Sequence, residues 1–308
     1  MKFIHFGCWN ENGCNINKLN TPLSLVMTSL NKYIAKHNTK FIVLAGDNYY
    51  PNRDNKTIFN PNNFYSGFDC LPKNITKFLI FGNHDIKDKF KIKDSSNIYC
   101  NSVNLQYIYA EKDTYFKLFS NVIYNIYKHT IIIMIDSTLL TDITDEYIQC
   151  YEKLFPNYKL TTIEDLIKYQ LQIIINILTK YNSIQNIIFI AHHPIIALRS
   201  DKENKRIEII NYKIVDFFKN IKYLLINKNI YYLCADTHLY QHGEVHIDNL
   251  KIVQHISGTG GARPDNFNNE NLNYISDILK YKIIKNINNF GYLIVYIRDK
   301  IKFKFKTV

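Results

Sequence analysis

The sequence predicts an α/β fold from two observations. Five short apolar runs each end at once in residue types that bind metals: FIHFGCWN (3–10), FIVLAGDNYY (41–50), FLIFGNHD (78–85), IIFIAHHP (187–194) and YYLCADTH (231–238). Between such runs lie stretches with apolar residues at helical spacing, the alternation of an α/β chain. Open α/β sheets place ligands at the carboxyl ends of their strands, so function is expected where these runs end.

Residues 2–7 alternate weakly and form the first expected strand. Pro22 opens a helix that reaches about His37, with Leu23, Val26, Met27, Leu30 and Ile34 on one face. Phe41 to Leu44 read as a buried strand; Gly46 then allows a tight turn that delivers Asp47, Asn48, Tyr49 and Tyr50. Residues 51–76, rich in Pro and Asn, read as loop with one short helix. FLIFG (78–82) is the next strand and delivers Asn83, His84 and Asp85. Residues 86–125 read as a polar surface excursion with a short helix near 114–119. TIIIMIDS (130–137) is a β-branched, buried strand ending at Asp136. A helix is expected from Ile163 to about Tyr181, then a strand through Phe189 leading to His192 and His193, then a helix over 208–224. After IYYLCADTH the chain closes in KIVQHISG, GYLIVYIRD and IKFKFKTV, strands without helices between them. With no internal repeat and no linker, residues 1–308 are expected to form one domain.

Aliphatic and aromatic residues make up 46% of 308, enough for a sizeable core and too many for a disordered protein. Lys and Arg number 38 against 27 Asp and Glu, a net +11 that attracts anions, whether a phosphorylated substrate, nucleic acid or acidic lipid, but that, spread along the chain, fits an ordinary solvated basic surface better. Nothing in the chain forms a nucleic-acid-binding module. MKFIHFG enters a strand at once, leaving no room for the apolar core of a secretory signal. No apolar run approaches the roughly 20 residues of a membrane span. A cytoplasmic or cytoplasm-derived location is therefore expected. Cys8, Cys14, Cys70, Cys100, Cys150 and Cys234 show no CxxC spacing and are expected to stay reduced. Only Cys8 sits where chemistry is expected.

Asp, Asn, His and Tyr at strand ends are ligands suited to iron, manganese or zinc. Two such ions a few ångströms apart can bind one phosphate, generate hydroxide and neutralise the transition state. That arrangement needs a carboxylate bridging both ions, and Asp47 is the candidate. His84 follows the ligand-type Asn83 directly and so cannot easily point the same way; it suits a proton donor or a positive charge near the leaving group, with Asp85 orienting it. Taken alone, Asp47-Asn48 also fits an ordinary turn after a strand, and His238 a hydrogen-bonded structural histidine. His193 suits either contact with substrate or a structural role, and Asp136 reads as structural.

GCWN (7–10), GDNYY (46–50), GNHD (82–85), AHHP (191–194) and ADTH (235–238), in this order, resemble the motifs of the calcineurin-like metallophosphoesterases, and within them of the purple acid phosphatases. Gln241 is the counterpart of a glutamine after the last motif, and SGTGGARPD (257–265) of a late glycine-rich loop. The resemblance covers nearly the whole chain. It implies a four-layer αββα sandwich, two mixed β-sheets flanked by helices. It also implies two divalent or trivalent metal ions, of Fe, Mn or Zn. Asp47 would bridge them, Tyr50 and His238 would complete site one, Asn83 and His192 would belong to site two, and His84 would be the catalytic acid. The implied reaction is hydrolysis of a phosphate ester, most simply a monoester, by metal-bound hydroxide, with His84 protonating the leaving oxygen.

Two positions depart from the family pattern. Cys8 stands where the first motif has a metal-binding Asp, and Asp236 where the last has its first His. As a thiolate Cys8 can bind a metal; as a thiol it is a small buried hydrophobe. Asp236 can be a ligand or close an Asx turn. With Cys8 a thiol, site one keeps only Asp47, Tyr50 and His238, and site two becomes oxygen-rich, better for Mn²⁺ or Mg²⁺ than for Zn²⁺. The departures leave a second reading: a non-catalytic descendant that keeps the fold for binding or assembly.

Overall fold

In the computed structural model, which describes residues 1–51, 59–92, 97–118, 122–152, 161–267 and 272–308, the first part of the chain winds a parallel sheet. β1 (Lys2–Phe6), β2 (Phe41–Ala45), β3 (Thr76–Ile80) and β4 (Phe116–Leu118) run parallel. Their crossovers carry α1 (Pro22–Lys36), α2 (Pro61–Asp69), α3 (Asn83–Lys87) and α4 (Asn101–Lys112). Thr21 caps α1 by accepting from the Ser24 N–H, with Pro22 in the first turn. The second sheet holds β5 (Ile123–Tyr127), β6 (Thr130–Met134), β7 (Asn186–Ile190), β10 (Asn229–Cys234), β11 (Tyr240–Ile247), β12 (Leu250–Ser257), β13 (Asn273–Ile275) and β14 (Lys280–Ile287). Within it β6, β7, β10 and β12 are parallel. β8 (Ile196–Ser200) and β9 (Arg206–Ile210) form a separate hairpin. The remaining helices are α5 (Gln149–Glu152), α6 (Ile163–Lys180) and α7 (Tyr212–Leu225). β15 (Gly291–Ile297) and β16 (Ile301–Thr307) return to the first sheet, whose order is β16-β15-β1-β2-β3-β4.

The layers follow from which face of each strand is apolar. Phe3, Val43, Ile80, Leu293 and Val295 of the first sheet pack against Ile132, Met134, Ile188, Ile190 and Leu233 of the second. The opposite face of the first sheet, with Ile4, Phe6 and Leu44, is covered by Leu23, Met27 and Leu30 of α1 and Phe64 and Phe68 of α2. Ile174, Ile177, Phe217, Phe218 and Ile221 of α6 and α7 cover the second sheet. Each such fully buried side chain contributes roughly 1.5–3 kcal/mol over leaving it in water. The result is the expected four-layer αββα sandwich.

Three local expectations are corrected. The helix placed near 114–119 is instead β4, because Phe116 to Leu118 pair with Lys77 to Leu79 of β3; the helix of that region is α4, further upstream. The helix placed over 208–224 starts at Tyr212, because the apolar run before it closes a hairpin with β8. The cysteines do not all stay reduced: Cys14 joins Cys70 and Cys100 joins Cys150, while Cys8 and Cys234 are free and buried. The partners lie 56 and 50 residues apart, so no spacing rule exposes them. The pairs remove cysteine usage as an argument for a reducing compartment. No helix among the described residues is long and apolar enough to cross a membrane.

Candidate metal centre

β1, β2, β3, β7 and β10 bring the five motifs to one place. Three of the residues they deliver, Cys8, Asp47 and Asp236, have left-handed backbone, with φ of 53°, 51° and 59°. Such values are uncommon outside glycine and cluster where a structure holds residues in place for use. Gly46 and Gly82 allow the close approach: a Cβ on Gly46 would meet the His192 ring, and one on Gly82 the Asp47 carboxylate.

The two oxygens of Asp47 face different neighbours. Oδ1 accepts from the His84 N–H at 3.0 Å and lies 3.3 Å from His192 Nε2. Oδ2 accepts from the Tyr50 hydroxyl at 2.9 Å and lies 3.9 Å from Cys8 Sγ. One buried carboxylate therefore serves two adjoining groups of donors.

On the Oδ1 side, His192 Nδ1 donates to the Ala45 carbonyl at 2.7 Å, which aims Nε2 at the centre. Nε2 lies 3.1 Å from Asn83 Oδ1 and 3.7 Å from Asp236 Oδ1. Burial alone would lower the His192 pKa, but Asp47 and then Asp236 outweigh it and raise it to about 9. Burial would raise the Asp47 pKa, and His192 and His84 outweigh it and lower it. Three oxygen acceptors thus lie around His192 Nε2. The donor set of two carboxylates, one amide oxygen and one imidazole fits a divalent cation such as Mn²⁺ or Mg²⁺. Asp236, read as a departure from the pattern, is here a full member of the set.

On the Oδ2 side, His238 Nδ1 donates to the Arg263 carbonyl at 2.8 Å, and its Nε2 lies 3.2 Å from the Tyr50 hydroxyl. Cys8 completes the ring, 3.6 Å from the Asp236 carbonyl and fully buried. Burial, then the charges of Asp47 and Asp236, push its thiol pKa well up. Burial and then Asp47 likewise push up the Tyr50 phenol. Among the described residues the carboxylate that meets the Tyr50 and Cys8 side chains is that of Asp47, and one carboxylate fits a hard trivalent ion poorly.

His84 and Asp85 diverge. Asp85 is buried and accepts from the Gly82 N–H at 2.9 Å, the Asn48 N–H at 3.1 Å and Gln106 Nε2 at 2.7 Å. It therefore braces the loops and does not orient His84, as the sequence reading had it. The residue beside His84 is Asp88, whose Oδ2 lies 2.9 Å from Nδ1. One turn of α3 separates the two and puts them on one face. Burial would lower the His84 pKa; Asp47 and then Asp88 outweigh it and raise it to about 9.

His193 adjoins the first half, a ring nitrogen of it lying within 4.8 Å of a His192 ring nitrogen and of an Asp236 carboxylate oxygen. Ser137 Oγ accepts from the N–H groups of His192 and His193 at 3.1 and 2.8 Å and lies 3.0 Å from His193 Nδ1. Both lone pairs being taken, the hydroxyl proton goes to Nδ1 and leaves the Nε2 proton free to donate. That arrangement suits contact with an anion better than metal ligation. Sequence reading missed Ser137, Asp88 and the brace formed by Asn48 and Gln106. Ser137 was legible in principle, as it ends TIIIMIDS at the same sheet edge. Asp136 is structural as read, accepting from the Thr138 N–H.

Residues 1–240 match the calcineurin-like phosphoesterase family. No curated protein matches the sequence. Among solved structures, GAP50, the anchor in the inner membrane complex of Plasmodium, aligns over all of this chain and 84% of its own, with a TM-score of 0.57 and 12% identity. Purple acid phosphatase PPD1 from yellow lupin (Lupinus luteus) seeds aligns over all of this chain with a TM-score of 0.56 and 14% identity. The chain spans 51% of the lupin enzyme's length. At such identities the likeness concerns the fold. The family match over most of the chain, and a sheet edge where its motifs converge on Asp47, make this protein a member of the calcineurin-like phosphoesterases.

Proposed function

We propose that the chain is a metal-dependent phosphoesterase, acting on phosphate monoesters, whose principal cation is held by Asp47, Asn83, His192 and Asp236. The observation that carries this reading is the convergence of three oxygen acceptors on His192 Nε2 within 3.1 to 3.7 Å. A cation there would neutralise phosphoryl charge and make water a better nucleophile near neutral pH. His84, protonated and held by Asp88, would donate to the leaving oxygen. His193 would donate its Nε2 proton to a phosphoryl oxygen. A second cation beside Tyr50 and His238 would bind more weakly.

The test is hydrolysis of p-nitrophenyl phosphate by protein stripped of metal and reloaded with Mn²⁺. Activity that appears with Mn²⁺ and falls in His84→Ala supports the reading. A specific observation favours a second one: a fully buried cysteine, Cys8, beside Asp47 where the family places a carboxylate. A fold kept for binding or assembly, such as the anchoring for which GAP50 is named, would show bound Mn²⁺ and no hydrolysis of any monoester.

A further inference from the structure

The far end of the first sheet carries a second charged feature, independent of the metal centre. Tyr296 pairs with Lys2 at the start of β1, so the β15–β16 turn lies at the opposite end of β1 from Cys8. β16, with the sequence IKFKFKT, is the outer strand of its sheet. Among the described residues no strand lies beside its outer row of main-chain groups.

Its two faces differ. Lys302, Lys304 and Lys306 lie across from Tyr296, Ile294 and Tyr292, on the face toward α1. Phe303 and Phe305 lie across from Val295 and Leu293, on the face toward the second sheet, and both stay half-buried. Lys306 and Lys2 hold their ammonium groups 5.3 and 5.5 Å from the Tyr33 ring centroid. Lys302 and Lys304 are exposed and form no ion pair among the described residues. Arg298 and Lys300 extend the charge around the turn, where the one acid, Asp299, pairs with Lys128 at 3.6 Å. A groove of 630 Å³, lined in part by Tyr296, Arg298, Lys300, Lys302, Phe303 and Lys304, lies at this edge.

We propose that β16 is a docking edge for an extended acidic segment of a partner protein, which adds to the sheet as a further strand. Its acidic side chains would face Lys302, Lys304 and Lys306, and its apolar ones would continue the face of Phe303 and Phe305. Main-chain bonding supplies affinity in this mode, and alternate side chains supply specificity. Edge lysines also keep sheets from sticking to one another. That role needs charge alone, and accounts for neither the groove nor the aromatic face beside it. A flat anionic membrane would meet the lysines and leave the open main-chain row unused.

The probe is a labelled nine-residue peptide alternating glutamate with valine, titrated by fluorescence anisotropy at low and high salt. A scrambled peptide of the same composition and vesicles of phosphatidylserine serve as comparisons. The alternating peptide is expected to bind at least about tenfold tighter than the scrambled one and to weaken with salt. The exposed double change Lys302→Glu/Lys304→Glu is expected to weaken it about tenfold or more, with metal binding unchanged. Amide hydrogen exchange of the unaltered protein should show β16 protected by the peptide, a readout that holds even if the double variant misfolds. Equal binding of both peptides, binding to vesicles alone, or no protection of β16 would overturn the proposal.

Discussion

Around His192 Nε2 the chain gathers Asp47, Asn83 and Asp236; on the Oδ2 side of Asp47 lie the Tyr50 hydroxyl, with His238 beside it, and the buried Cys8 thiol. Both halves have an altered residue, and both altered residues sit on left-handed backbone. Asp tolerates that conformation because its short polar side chain bonds locally; cysteine gains nothing of the kind. Position 8 thus keeps the backbone shape suited to an aspartate without its charge. Between the halves a carboxylate has in effect moved from one side of Asp47 to the other. Candidate ligand types can therefore differ between the two sides of Asp47 while the same strands carry them.

The largest effect should come from the residue both halves share. Asp47→Asn is expected to abolish metal binding and activity together. Without metal it should also lower stability in urea unfolding, since it removes the buried carboxylate that lies 3.3 Å from His192 Nε2 and accepts from the His84 N–H and the Tyr50 hydroxyl. Next comes the proton donor. His84→Ala should lower kcat by roughly 10²–10⁴-fold with metal content unchanged. Asp88→Asn should lower kcat less and move the basic limb of the pH profile to lower pH, because Asp88 helps raise the His84 pKa, while Asp85→Asn should chiefly destabilise the fold.

The halves then separate by affinity. Asp236→Ala should weaken Mn²⁺ binding by more than the roughly 10–100-fold that losing an outer-shell partner costs. Cys8→Ala should leave it nearly unchanged by calorimetry. Equal losses in the two variants would erase the distinction between the halves.

A last effect, outside the centre, concerns acid, which weakens metal binding and the fold at once and so blurs the comparison. His5 is fully buried between the sheets with neither ring nitrogen bonded, and burial lowers its pKa from 6.5 to about 3. The unfolded chain therefore binds a proton below pH 6.5 that the folded chain refuses, so stability falls as pH drops from 6.5 toward 3. The slope from this one residue is about 1.4 kcal/mol per pH unit. His5→Leu should flatten that acid limb in urea titrations and leave the acid loss of metal in place.

The sequence showed the parts of the site set by local pattern: an apolar run long enough for a strand, then a ligand type at its end. Asp47, Asn83, His192 and His238 follow from that rule. The choice between Asp85 and Asp88 did not, because Asn83 to Lys87 coil into a helical turn that carries Asp85 inward to Gly82 and Asn48. Adjacency in sequence is not adjacency on a helix. The disulfides were hidden for a related reason, since Cys14 and Cys70 meet only once α2 packs under the loop after β1. Ile209 and Ile210 fit helix and strand periods alike, and pairing with β8 decided for strand.

The most direct test of the unequal halves is Mn²⁺ titration of the metal-free protein by calorimetry, beside the variant Cys8→Asp. The expected result is about one tight equivalent in the natural chain and about two in the variant, with phosphatase activity rising alongside the second. Two equivalents of equal affinity in the natural chain, or none in either protein, would contradict a centre whose strength lies on the Asp236 side of Asp47.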